Sequence, residues 1–222
     1  MPSLVGSEMC IRDRCLVPSL DKILKLIKNG DKVMVGGFAS FGRPNRILNG
    51  LATTDVKNLT LISNCTSLPN TPLGVLICQK KFDKVIVSHI GTNPNTQQLV
   101  SEGKIELELV PQGTLIERIR CGGYGIGGFL TKTGLGTEVE DGKTIFSNEG
   151  EDFLLEMALT ADVTIIKCSK ADRLGNVVFH GTAFSHSLQM ATAAKITIVE
   201  TDEIVETGSL DVSYTHLTLP TI

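Results

Sequence analysis

Two short stretches carry residue types that chemistry can use. Gly36-Gly37-Phe38-Ala39-Ser40-Phe41-Gly42 follows the apolar run KVMV and precedes Arg43, Pro44 and Arg46. Glycines let the backbone approach a ligand closely. A helix starting at Pro44 would add its positive end and two cations, a set suited to an anion such as a phosphate. The same letters also suit a tight strand-to-helix turn that binds nothing. The second stretch is Pro111-Gln112-Gly113. A side-chain amide such as that of Gln112 can donate to an oxyanion developing in a transition state, or it can satisfy the start of a helix.

Other candidates carry weaker signals. Gly123-x-Gly125-x-x-Gly128, with Asp141 downstream, matches the letters of a dinucleotide fingerprint. It follows a helical segment, not a strand, so the required context is missing; it reads as a close-packed turn beside a substrate pocket. Ser147-Asn148-Glu149-Gly150 offers a glutamate, in a segment that reads as a hairpin turn. Glu117, Arg118 and Arg120 form ion pairs on a helix or at a subunit contact. His89 faces a pocket or is a hydrogen-bonded structural histidine. The four histidines and the scattered cysteines have no ligand spacing, so no metal is expected.

The elements that must position these residues alternate. Leu20, Ile23, Leu24 and Ile27 follow helical spacing after Ser19, and Asn29-Gly30 stops them. Apolar runs at 32–36, 59–63, 84–88, 163–167, 176–179 and 196–200 read as buried strands, and KIELELV at 104–110 alternates as a half-exposed one. Helices are expected over 44–52, 73–79, 95–102, 115–120 and 187–194, and hairpins over 129–157. Strands alternating with helices predict an α/β fold: right-handed βαβ units in a three-layer αβα arrangement around a mostly parallel sheet. With 222 residues, 41% of them hydrophobic, and a net charge of −3, the chain reads as one domain with a sizeable core. Its mild acidity argues against a nucleic-acid partner, and no apolar run is long enough for a membrane span. Cys15, Cys65, Cys78, Cys121 and Cys168, an odd and scattered set, read as reduced thiols of a cytoplasmic protein.

The two ends do not fit this pattern. VGSEMCIRDR at 5–14 has no period, cap or turn logic, and it is what one transposase-type sequencing adapter would encode. VSYTHLTLPT at 212–221 is what the companion adapter would encode. Segments 1–14 and 212–222 are therefore expected to be translated artefact, and 15–211 to be the folded domain.

Asn29-Gly30-x-x-Val33-Met34-Val35-Gly36-Gly37-Phe38-x-x-x-Gly42-x-Pro44 resembles the signature of family I coenzyme A transferases. SHIGTNP (88–94), VPQGTLIERIRCGGYGIGGFLTKTGLGT (110–137), LTADV (159–163) and KADRLGN (170–176) are similar to that family's alpha subunits, in the same order. The resemblance implies a sheet architecture shared with sugar-phosphate isomerases. It also implies a ping-pong transfer of CoA between short-chain carboxylates of the acetate, acetoacetate, butyrate or succinate class. In such a reaction a glutamate attacks the acyl-CoA thioester, and an anhydride and then an enzyme thioester follow. The family carries that glutamate in a Ser-Glu-Asn-Gly motif of a beta subunit, so a partner chain and an α2β2 assembly are implied, and Glu149 is set aside. CoA is then a substrate, with no resident cofactor. The family's loop for CoA falls on Gly36, Gly37, Phe38, Ala39, Ser40, Phe41 and Gly42, and its oxyanion donor on Gln112. Ala183-Phe184-Ser185-His186-Ser187 departs from the family's Arg-Asn-Phe-Asn-Pro-like run, which leaves substrate choice open. The competing expectation is a non-catalytic module for a sugar phosphate or CoA on the same architecture.

Overall fold

The computed structural model describes residues 19–210; the expectations for 1–14 and 212–222 lie outside the described residues. The chain runs through α1 (Leu20–Leu24), β1 (Lys32–Val35), α2 (Asn45–Ala52), β2 (Leu59–Cys65), α3 (Pro72–Cys78), β3 (Phe82–His89), α4 (Pro94–Ser101), β4 (Glu106–Leu109) and α5 (Gln112–Gly123). A small meander follows, made of β5 (Gly128–Thr131), β6 (Ile145–Asn148) and β7 (Glu151–Met157). The chain then returns through β8 (Ala161–Asp172), β9 (Val177–Val178), α6 (Ser187–Thr192) and β10 (Ala194–Val205).

The main sheet has the order β10-β8-β1-β2-β3-β4. Every pair along it is parallel, and β9 adds an antiparallel hairpin to β8. Parallel strands covered on both faces read as unbroken apolar runs, and Val33, Met34 and Val35 are all at most 1% exposed. Period-two alternation then sorts the side chains into two cores. Val33, Val35, Leu61, Val85 and Ile165 pack with Leu48, Leu51, Leu73 and Leu76 of α2 and α3. Met34, Ile62, Ile86 and Ile166 pack with Leu115 and Ile119 of α5 and Met190 of α6. These are the two outer layers of the expected αβα arrangement.

Edges and caps follow from local chemistry. Edge strand β4 carries Glu106 and Glu108, which share Lys84 of β3 at 2.7 and 3.3 Å; charged side chains of this kind blunt a sheet edge against further pairing. Thr71 and Asn93 cap α3 and α4 by accepting from the backbone N–H groups of Gly74 and Thr96, each with a proline at the helix start. Ser19 precedes α1 without such a bond. Pro44 sits at the cap position of α2, one residue before the first helical place expected for it.

The 129–157 segment is a separate antiparallel sheet of order β5-β7-β6. Its base is pinned to α5 by Arg118, whose Nη1 lies 2.7 Å from Glu108, whose Nε donates to the Met157 carbonyl at 3.0 Å, and which neighbours Glu156 at 3.9 Å. Glu156 is 2% exposed and also pairs with Lys143.

Candidate functional site

In an open parallel sheet the crevice for ligands lies beyond the carboxyl ends of the strands, where the strand order reverses. That point is β1. The chain steps outward through β2, β3 and β4 on one side of it, then crosses to build β8 and β10 on the other. The glycine loop 36–42 leaves the carboxyl end of β1, and the 180–187 segment descends beside it.

The loop is a tight turn. The backbones of Phe38 and Phe41 exchange hydrogen bonds of 3.0 and 2.9 Å. Gly37 and Gly42 take positive φ of 95° and 64°, and Ala39 is forced to 50°, a conformation that costs a non-glycine residue about 1 kcal/mol or more. The two phenylalanines point outward, 42% and 68% exposed. A Cβ on Gly42 would stand 2.4 Å from the Ala183 backbone nitrogen, and one on Gly36 would stand 2.5 Å from Ser187 Oγ. Glycine is needed here because the segment 183–187 lies directly on the loop.

Arg43 does not serve as an outward cation. It is 1% exposed and turned inward. Its Nε donates to the Ala39 carbonyl at 2.6 Å, Nη1 to the Gly36 carbonyl and Ser63 Oγ at 3.3 and 3.1 Å, and Nη2 to the Cys65 carbonyl at 3.2 Å. Burial lowers its pKa, and interaction with Cys65 partly opposes this. The guanidinium fork thus knits the turn to the ends of β1 and β2. The start of α2 is also occupied. The Glu200 carboxylate accepts from the backbone N–H groups of Arg46 and Ile47 at 2.9 and 3.1 Å, so the expected helix-end anion site is filled by the protein itself. Arg46 remains exposed. A second clasp joins Ser40 Oγ to Ser67 Oγ at 3.0 Å and Ser67 to Thr71 at 2.9 Å, with Ser67 at φ 60°.

Gln112 is the first residue of α5, just beyond the carboxyl end of β4. It is exposed, and among the described residues its amide makes no hydrogen bond; it does not cap the helix. Gln112 and the glycine loop therefore share one edge of the sheet. Their strands are three spacings apart, about 14 Å, a separation suited to an elongated ligand.

Other candidates fall elsewhere. Gly123 ends α5 and Gly128 begins β5; α5 runs away from the crevice, so its twelve residues place Gly123 about 16 Å from Gln112 along the axis. Both are close-packed, since a Cβ on Gly123 would meet Thr192 Oγ1 at 2.3 Å and one on Gly128 the Glu156 carbonyl oxygen at 2.5 Å, and Gly123 sits at the far end of α5 from the crevice. Glu149 and Gly150 hold φ of 52° and 81° between paired Asn148 and Glu151, the conformation of a two-residue type I′ hairpin. His89 is exposed and makes no hydrogen bond among the described residues. Glu117 pairs with Arg120 at 2.8 Å on the helix surface. His186 is 4% exposed, with Nδ1 2.8 Å from Ser185 Oγ. Burial first, and the Arg43 charge second, push its pKa below the ordinary histidine value.

Sequence reasoning missed one row. Val35 pairs with Ser63, and Cys65 pairs with His89. One step from each pair, Gly36, Asn64 and Ser88 line up across β1, β2 and β3. Alternation puts them on the α5/α6 face, directly above Met34, Ile62 and Ile86. The signal available in the sequence was a polar residue closing two apolar runs at matching positions.

A three-layer fold with its crevice at the strand-order reversal, a glycine turn there and a free amide on the same edge defines a class of ligand-binding α/β proteins. The Coenzyme A transferase family model matches residues 17–222, and the chain belongs to that family. It is 48% identical over 183 residues to the acetate CoA-transferase subunit alpha of Escherichia coli (strain K12), covering 82% of this chain and 83% of that one. It is 46% identical over 191 residues to the acetoacetyl-CoA:acetate/butyrate CoA transferase alpha subunit of Clostridium acetobutylicum, covering 86% and 88%. In fold it is similar to an acyl-CoA transferase from E. coli O157:H7 solved as a thioester complex with CoA. The TM-score is 0.79 at 20% identity, over 93% of this chain and 46% of that one. These matches give no support to a sugar-phosphate module.

Proposed function

We propose that the chain is the alpha subunit of a short-chain acyl-CoA:carboxylate CoA-transferase, working with a beta subunit in an α2β2 assembly in the cytoplasm. The acyl and acceptor groups are of the acetate, acetoacetate, butyrate or succinate class. The observation that carries the reading is the joint placement of the glycine loop 36–42 and the unpaired Gln112 amide along one edge. In this reading the loop's backbone and its exposed Phe38 and Phe41 receive CoA. Gln112 donates to the thioester oxygen as a glutamate of the partner subunit adds to the carbonyl. The C–S bond then breaks, the thiolate leaves, and an acyl-glutamyl anhydride remains. The thiolate attacks the glutamyl carbonyl, expelling the first carboxylate and leaving a glutamyl thioester for the second carboxylate to accept. CoA is thus a substrate that visits the protein.

The test is CoA transfer from acetoacetyl-CoA or butyryl-CoA to acetate, with this chain alone and with a co-expressed beta subunit. Transfer is expected only with the partner. Gln112→Ala should lower kcat by about 10²–10³ without changing the melting temperature, because the amide holds nothing in the free subunit. Glu149→Gln should leave the rate unchanged. Activity of this chain alone, or its loss in Glu149→Gln, would overturn the assignment of the nucleophile.

A further inference from the structure

The row Gly36–Asn64–Ser88 carries chemistry that the glycine loop and Gln112 do not use. Ser88 Oγ has no hydrogen-bond partner and is sealed from solvent. Asn64 is 5% exposed, and its amide makes no hydrogen bond among the described residues. Gly36 contributes no side chain, and its place is taken by Ser187 Oγ, 2.5 Å from where a Gly36 Cβ would stand. Ser187 is 0% exposed, and its hydroxyl is also unpartnered. Neighbouring strands are about 4.8 Å apart, so the two sealed, unpartnered hydroxyls and the Asn64 amide between them span roughly 10 Å just below the crevice. A buried polar group left unpaired costs about 1–3 kcal/mol, and the two sealed hydroxyls of Ser88 and Ser187, with His186 Nε2 and Gln189 Oε1 also unpartnered near Ser187 in the chain, call for a ligand.

The row is uncharged. Arg43 touches the row only through the Gly36 carbonyl, and its other bonds include Ser63, which alternation places on the opposite face. Lys84 on β3 is taken by Glu106 and Glu108. Burial, and then the Arg43 charge, disfavours the cationic form of His186. A carboxylate would find no cation with free donors here, because the Arg43 nitrogens are spent on Ala39, Gly36, Ser63 and Cys65, whereas a neutral carbonyl would find two hydroxyls and an amide as donors. We propose that Ser187, Asn64 and Ser88 form a neutral polar subsite that reads a carbonyl oxygen of the acyl-CoA. The carbonyl comes either from a 3-oxo group on the acyl chain or from an amide of the pantetheine arm. Ser187 and Ser88 are then specificity-determining residues. This inference rests on the CoA-transferase reading above.

The experiment uses the assembled enzyme with its beta subunit. kcat/KM is measured for acetoacetyl-CoA and for butyryl-CoA, which lacks the 3-oxo oxygen, in the wild type, Ser187→Ala and Ser88→Ala, with melting temperatures recorded alongside. If the 3-oxo group is read, each variant loses about tenfold on acetoacetyl-CoA and little on butyryl-CoA. If a pantetheine amide is read, both substrates lose about tenfold, and the loss lies in KM. Unchanged kcat/KM on both substrates in both variants would overturn the subsite while leaving the CoA-transferase reading intact. Equal losses in kcat alone, accompanied by a lower melting temperature, would also overturn it, since a structural role predicts that result. A wild-type assembly that transfers no CoA would instead overturn the functional reading. Should Ser187→Ala fail to fold, Asn64→Ala serves with the same readouts.

Discussion

Replacing Arg43 by methionine removes the charge and the donors while keeping much of the stem volume. In the native loop the guanidinium donates to the carbonyls of Ala39, Gly36 and Cys65 and to Ser63 Oγ, at 2.6 to 3.3 Å. The site is 1% exposed, so water cannot replace those donors. A buried acceptor that loses its partner costs about 1–3 kcal/mol. Four such losses would sum to about 4–12 kcal/mol, but they are not additive and the mutation also removes the cost of burying the guanidinium, so the low end applies. A loss of about 4 kcal/mol is therefore expected. For a domain of this size each kilocalorie moves the melting temperature by about 2–4 °C, so Arg43→Met should melt roughly 8–16 °C below wild type. Arg43→Lys should recover only part of that, because one ammonium cannot reproduce the planar fork. The assay is denaturant and thermal unfolding of the chain, with CoA affinity of the assembled enzyme measured by calorimetry. CoA affinity should weaken as well, since the turn that presents the loop backbone loses its clasp. A variant that melts within 1 °C of wild type and binds CoA equally well would refute the claim that Arg43 is a structural clasp.

Gly42→Ala should destabilise by about 2 kcal/mol or more, because φ is 64° and the new methyl would meet Ala183 backbone at 2.4 Å. Thermal unfolding checks this, and hydrogen exchange should show faster opening at 36–42 and 180–187 together. For Glu108, burial pushes the carboxyl up, but Arg118 and Lys84 together outweigh it and hold the pKa below the ordinary glutamate value. A depressed carboxyl pKa stabilises the fold above its unfolded value and loses that contribution as pH falls. The denaturation midpoint should therefore hold from pH 7 to about 5 and decline below about 4.3, and Glu108→Gln should flatten that acid limb.

The strands were legible because buried parallel strands need unbroken apolar runs, and 32–36, 59–63, 84–88 and 163–167 supply them. The glycine loop was legible because few other residues tolerate its backbone. Arg43 was not, since a cation beside a helix start looks the same in sequence whether it points out or in. Glu200 reaches the start of α2 from 154 positions away, and no local pattern announces such a cap. The fingerprint glycines at 123–128 could be denied a dinucleotide on context. Their distance from the crevice depended on the direction of α5, which only the assembled layers define. The departure at 183–187 was visible as letters, while its seat on Gly36 and Gly42 required the fold.

The floor and the roof of the crevice come from segments far apart in the sequence. β1 is made early, yet one of its two neighbours, β8, begins at Ala161, and the residues that cover Gly36 and Gly42 are Ser187 and Ala183. A ribosome that has released only the first 150 residues has therefore produced a glycine turn with no lid and an apolar central strand with one bare edge. The cover arrives with the 183–187 segment, after both flanks of β1 are occupied. An incomplete chain then has neither the cover of the glycine turn nor the second neighbour of β1.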